Sequence, residues 1–309
     1  MAMAIVLMSI TSIQVNAATN STYSNYESSN ATELLDNSSN TQTIVASECE
    51  ILDEMIAEEV ITREDLNSDM LELSNDSEKE LKSAGYNDSQ IKLIKNYDGE
   101  SDALEYISTN AISTTSTTSV VTNPTLTFRY GLAGSDNTKK KVRVAYDITW
   151  SACPFFTLTD SFGIGWIAAD SNSYELATKT TGPVGEAVYY TTDGMIQTGT
   201  RSISLNTNSN GIVTANPILG SAGGSYAKHI SGIFYVQTQS GSSNMQTIQI
   251  YVAYAHTILN IEVSPQITLS WKKMNNSISF SCGTSQEMLI QSHHTFKYNA
   301  QGEIVATGR

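Results

Sequence analysis

Chemistry-bearing residues are scarce in this 309-residue chain. There are three cysteines, four histidines, five prolines and three tryptophans, and 17 Lys and Arg against 31 Asp and Glu. Four histidines leave few nucleophile–base pairs. The sequence holds no H-E-x-x-H, no G-x-S-x-G, no phosphate-binding G-x-x-x-x-G-K-[ST] and no C-x-x-C. The usual zincin, hydrolase-elbow and nucleotide-binding signatures are therefore absent. No basic surplus favours nucleic acid. After the N-terminus no run approaches the ~18 apolar residues of a membrane helix.

The acid is unevenly spread. Residues 1–110 carry a balance of −16 and residues 111–309 one of +2. Such asymmetry predicts two units with different surfaces. Residues 1–17, MAMAIVLMSITSIQVNA, read as a signal peptide: an apolar run closed by Val15-Asn16-Ala17, though without a basic start. Residues 18–47 are rich in Asn, Ser and Thr with little to bury, which predicts disorder. From 48 to 107 the period turns helical. Ile51, Leu52, Met55 and Ile56 form a stripe, and Thr62-x-x-Asp65 and Ser77-x-x-Glu80 read as capping boxes. Helices this short need a partner surface, so the segment is expected to be a pro-region or accessory unit. The Ser/Thr-rich stretch 108–124 reads as a linker.

The remainder, 125–309, reads as strand after strand. Val142, Val144, Tyr146, Ile148 and Trp150 alternate with Arg143, Ala145, Asp147 and Thr149, giving a strand with one buried face. Pro154 interrupts pairing. Phe162, Ile164 and Trp166 then mark a second strand, expected to pair antiparallel with the first. Ile248, Ile250, Val252 and Tyr254 form another clear face. With no helical pattern between the turn signals, the fold class expected is mainly β: an antiparallel β-sandwich or barrel preceded by an acidic helical segment. The low-charge stretch 180–227 is expected to hold long surface loops. Its Ser/Thr content also resembles that of pore-forming hairpins.

An odd cysteine count suits an exported chain with one pair and one spare. Cys153 and Cys282 would form the disulfide, or remain two buried thiols. Cys49, between Glu48 and Glu50, is a poor nucleophile because neighbouring carboxylates disfavour its thiolate. His256 falls in phase with the buried face of Ile250, Val252 and Tyr254, as a hydrogen-bonded core histidine does. A zinc site from His229, His256 and His293 or His294 has no spacing in its favour. Asp170, Asn172 and Glu175 faintly resemble a calcium loop, but an Asx turn fits better. A hydrolase would need paired carboxylates, Asp147 with Asp160 or with Glu262. Tyr189, Tyr190, Tyr235, Tyr251 and Tyr254 lie in strands, and some of these rings are expected outside the core, as in binding surfaces.

These observations favour a secreted, non-enzymatic β-sandwich binding module. Its partner would be an extracellular glycan, cell wall or protein surface. No cofactor, metal, nucleic acid or integral membrane segment is expected. A membrane-acting, pore-forming protein and a secreted hydrolase are the two alternatives.

Overall fold

The computed structural model describes residues 31–57, 62–84, 88–110, 124–135, 138–154, 159–191, 194–208, 211–221, 225–239, 241–257, 270–274, 277–281 and 287–308. The proposed signal peptide and Cys282 lie outside them. In chain order the strands are β1 (Gln42–Ser47), β2 (Thr125–Ser135), β3 (Lys141–Trp150), β4 (Ser161–Ala169) and β5 (Thr178–Thr191). Then come β6 (Gln197–Ser202), β7 (Asn206–Asn208), β8 (Ile212–Ala215), β9 (Gly220–Ser221) and β10 (Ser225–Thr238). The last are β11 (Thr247–Thr257), β12 (Ser270–Met274), β13 (Ser277–Ser281), β14 (Glu287–Tyr298) and β15 (Ile304–Gly308).

Thirteen of them build two stacked antiparallel sheets, and β12 and β13 pair with each other as a separate hairpin. One has the order β1-β2-β3-β10-β5-β6, with β9 also on β10; the other has the order β15-β14-β11-β4-β8-β7. The expected sandwich is present. Its strand assignments need one correction: β3 and β4 lie in opposite sheets instead of pairing. The chain after Trp150 is a corner between layers. Trp150 and Trp166 therefore enter the common core from both sides, each about 1% exposed. The ring centroids of Tyr146 and Phe162, and of Trp166 and Phe234, lie 5.1 and 5.4 Å apart. Alternation reports a buried face, and says nothing about which sheet owns the strand.

Strand β4 is buried on both faces along most of its length. The β12–β13 hairpin covers its outer side, packing Ile278 and Phe280 against Ile167, Ile212 and Tyr251. Gly165 permits this approach, since a Cβ there would lie 2.8 Å from Ile278 Cδ1. The stretch 180–227 contributes most of β5 and all of β6 to β9, more strand than expected.

The helices are α1 (Glu48–Ala57), α2 (Arg63–Asn75), α3 (Glu78–Ala84), α4 (Asp88–Lys95) and α5 (Ala103–Asn110). Both capping boxes form. The Asp65 amide donates to Thr62 Oγ1 at 3.0 Å, and the Thr62 amide donates to Asp65 Oδ2 at 3.0 Å. Ser77 and Glu80 exchange the same two bonds. The helices carry a core of their own around Leu52, Leu66, Met70, Leu81, Ile94 and Tyr97.

Their position in the topology was not foreseen. Strand β1 pairs antiparallel with β2, Ser47 opposite Thr125. The Glu48 amide then donates to the Pro124 carbonyl at 3.0 Å. Residues 48–124 are thus an insertion into a β-hairpin whose ends meet at one point, the arrangement that lets a host domain accept a guest. The expectation of disorder over 18–47 also fails for its described part. Residues 31–36 are helical and 42–47 form β1. Ala31 and Leu35 pack on Ala145 and Ile233, on the outer face of the first sheet. The Asn40 side chain joins the other sheet, donating to the Ile304 carbonyl at 2.6 Å and accepting from the Ala306 amide at 3.0 Å. Asn, Ser and Thr gave no packing pattern to read. The segment is ordered by the sheets it closes.

This topology changes what cleavage of the Ser/Thr-rich stretch 111–123 should do. Subtilisin should cut there, yet the two pieces should remain together through the six-residue pairing of β1 with β2. Gel filtration of the nicked protein should give one peak, resolved into two bands only in denaturant. Separate elution of the helical piece would contradict the inserted topology.

Candidate functional site

The first site is internal. His256 extends the inner face of β11 and is completely buried. Its Nδ1 lies 2.9 Å from both oxygens of Asp160, and its Nε2 lies 3.2 Å from Glu48 Oε1. With a carboxylate against each nitrogen, both donate, which makes the ring an imidazolium. Burial by itself lowers its pKa. The charge and hydrogen bond of Asp160, then those of Glu48, outweigh this and raise it to about 10. Tyr254 donates its hydroxyl to Asp160, and the Trp150 ring centroid lies 5.0 Å from that of His256. Asp160 also donates its amide to the Pro217 carbonyl at 2.9 Å. Glu48 begins the helical insertion, so the cluster ties insertion, β11 and the start of β4 together. Glu48, Asp160 and His256 are each at most 1% exposed, which leaves no room for a substrate. The geometry is that of a clasp.

The second cluster lies on the outer face of the first sheet, under residues 31–36. Asp147 Oδ1 is 3.0 Å from His229 Nε2 and accepts from Thr149 Oγ1 at 2.8 Å; its Oδ2 accepts from Thr32 Oγ1 at 2.7 Å. Burial pushes the Asp147 pKa up, but the His229 bond and charge, with the two threonine bonds, bring it below the ordinary value. The Thr32 hydroxyl donates to this carboxylate and also lies 3.4 Å from His229 Nε2, so the three side chains meet at one point. Arg129 pairs with Asp36 at 2.5 Å. This cluster fastens the N-terminal turn.

Asp147 and Asp160, proposed as a catalytic pair, therefore each hold a different histidine on a different face. Glu262 lies outside the described residues. The histidines are also dispersed: His293 stacks on Tyr251 at 5.3 Å, and His294 packs edge-on to Phe296. Among the described residues no three His, Cys, Asp or Glu side chains are grouped to hold a metal ion. Asp170 forms the Asx turn, accepting from the Asn172 and Tyr174 amides at 2.8 and 3.0 Å, while Glu175 pairs with Lys273. Cys153 is buried in the core. Burial, and then Glu48, Asp53 and Glu50, push the Cys49 thiol up to about 12.

The third feature is open to solvent. On one flank Asn40 bridges the sheets; on the other, β6 and β7 are, among the described residues, the end strands of their sheets, joined through residues 203–205. Between those edges lies a groove of about 350 Å³ lined by Tyr189, Arg201, Ile203, Asn206, Asn216 and Ile218, among others. The Arg201 guanidinium lies 4.6 Å from the Tyr189 ring centroid, and Lys228 Nζ lies 5.1 Å from that of Tyr190. The Tyr189 hydroxyl donates to the Ile218 carbonyl at 2.7 Å, presenting the Ile218 side chain, 54% exposed, at the rim. Met195 and Ile196, 79% and 63% exposed, sit on the adjoining β5–β6 turn. Of the tyrosines singled out from the sequence, Tyr189, Tyr251 and Tyr254 are buried; Tyr190 and Tyr235 are half-buried with cations over their rings. Sequence reasoning missed Ile218, Met195 and Ile196. Nothing in a short apolar pair beside glycines signals exposure.

No family model matches the sequence, and no curated protein matches it significantly. Among solved structures, the chain is similar to the collagen-binding subdomain of the Enterococcus faecalis surface protein ACE. The identity is 6% and the TM-score 0.28, over 54% of this chain and 91% of that one. It is also similar to the KRT10-binding region domain of the pneumococcal serine-rich repeat protein PsrP. There the identity is 10% and the TM-score 0.21, over 43% of this chain and 79% of that one. With TM-scores this low, neither likeness bears on what this chain binds.

Proposed function

We propose that this protein is a non-enzymatic extracellular binding module that engages its partner through the open flank and the adjoining β5–β6 turn. One observation carries the reading: the exposed Ile218 side chain stands at the rim of a groove that also holds tyrosine and arginine, and the β5–β6 turn of the same sheet exposes Met195 and Ile196. An apolar side chain exposed at the rim of a groove offers a partner an anchor, and Tyr, Met and Arg are enriched where partners meet. The two buried carboxylate–imidazole clusters are spent on holding the structure together, which favours binding over hydrolysis. The helical insertion, clasped through Glu48, is then a fixed accessory part of the module.

The test is capture of extracellular matrix proteins and cell-wall glycans by the immobilised full chain, compared with Ile218→Asp. A charge at this half-exposed position leaves the core intact and should weaken capture at least tenfold, as loss of a central apolar anchor does. Unchanged capture by Ile218→Asp would remove the flank as the binding face.

A further inference from the structure

Among the described residues strand β6 ends its sheet, and all six of its residues, Gln197 to Ser202, are exposed. The Ile203 amide donates inward to the Gly185 carbonyl at 2.8 Å. Because inward and outward backbone groups alternate along an antiparallel edge, the Thr200 and Ser202 amides and carbonyls point away from β5. Edge strands are normally blunted by lysine, proline, bulges or a covering segment. The sequence QTGTRS has neither lysine nor proline. Its one register shift, between the pairs Tyr189–Gly199 and Tyr190–Gln197, falls before Thr200. The far edge of the fold is treated differently. There Asn40 ties the strand-edge segment to β15, and Gly131 lets the backbone at Asn40 come so close that a Cβ would lie 2.9 Å from its carbonyl oxygen.

We infer that β6 is a docking edge for an extended peptide segment of a protein partner, which adds to the seven-stranded sheet as an eighth strand beside Thr200–Ser202. This rests on the binding reading above and names its mode. Backbone pairing would supply affinity, while alternate side chains of the added strand reach over the groove and supply specificity. The groove fixes their chemistry. Among the described residues that line it, Arg201, held against the Tyr189 ring, is the charged one, and this positive charge suits an acidic residue on the incoming strand. Ile203 and Ile218 suit an apolar or β-branched residue two positions away. The partner segment is thus an extended stretch alternating acidic or polar with apolar residues, without proline.

The experiment pans a displayed library of random twelve-residue linear peptides on the full chain. Enriched peptides should alternate as described, and binding should protect the Thr200 and Ser202 amides from hydrogen exchange. Thr200→Pro removes an outward N–H that the sheet does not use, so the melting temperature should hold while peptide affinity falls at least tenfold. Arg201→Glu should reverse the preference for acidic residues. Enriched peptides indifferent to both variants would overturn strand addition, as would an enrichment of proline-rich sequences or no enrichment at all. Concentration-dependent dimers abolished by Thr200→Pro would also overturn it, by making a second copy the occupant. The binding reading fails separately, when Ile218→Asp leaves partner capture unchanged.

Discussion

His256→Ala should destabilise the protein by about 3–5 kcal/mol, the range found when one partner of a buried ion pair is deleted. The substitution leaves Glu48 and Asp160, at 1% and 0% exposure, facing each other without the cation between them. The loss should reach beyond the core. Glu48 opens the insertion and the Asp160 amide holds Pro217, so the helical unit and the groove rim should both gain hydrogen exchange. Chemical denaturation of the wild type over a pH series offers a second readout. The folded-state pKa of His256, about 10, stands above its unfolded value near 6.5. Its contribution is therefore complete below about pH 6.5 and declines until the pH passes about 10. In His256→Ala that slope between pH 6.5 and 10 should vanish. If the variant unfolds at the wild-type midpoint and keeps the slope, the clasp is not holding the fold.

Trp166→Ala should have an effect of similar size, about 3–5 kcal/mol, from a different cause. Trp166 is about 1% exposed and lies against Phe234 of the opposite sheet; its Nε1 donates to Thr178 Oγ1 at 2.9 Å. Removing the indole opens a cavity between two sheets whose backbones cannot close on it, and strands the hydroxyl of Thr178. Trp166→Phe keeps much of the volume and should recover more than half of the loss. Urea denaturation followed by far-UV circular dichroism separates the two. Equal losses for Ala and Phe would shift the weight from packing to the lost hydrogen bond.

These two residues also mark what the sequence could show. Both were legible as buried: Trp166 from its alternation with Gly165, His256 from its phase with Ile250, Val252 and Tyr254. Alternation is local, because successive side chains of a strand take opposite faces. The helical stripes and the capping boxes at Thr62 and Ser77 were legible for the same reason, since their partners lie three or four residues away. The mainly β class and the acidic helical unit follow from this local information alone.

Tertiary structure decided what depends on distant partners. Sheet membership of β3 and β4 rests on contacts that a period-2 pattern does not encode. The pairing of Gln42–Ser47 with β2, which makes the helical unit an insertion, joins residues about 80 positions apart with the whole helical unit between them. His256 acquires a proton because Asp160 and Glu48, 96 and 208 residues away in sequence, close on its two nitrogens in a buried site. The groove on the open flank exists because β6 and β7 end their sheets among the described residues, and residues 203–205 cross between them without filling the space. Amino-acid type and spacing determine which residues seek burial and where helices begin. Which charges meet, and which edge is left free, is settled only when the two sheets stack.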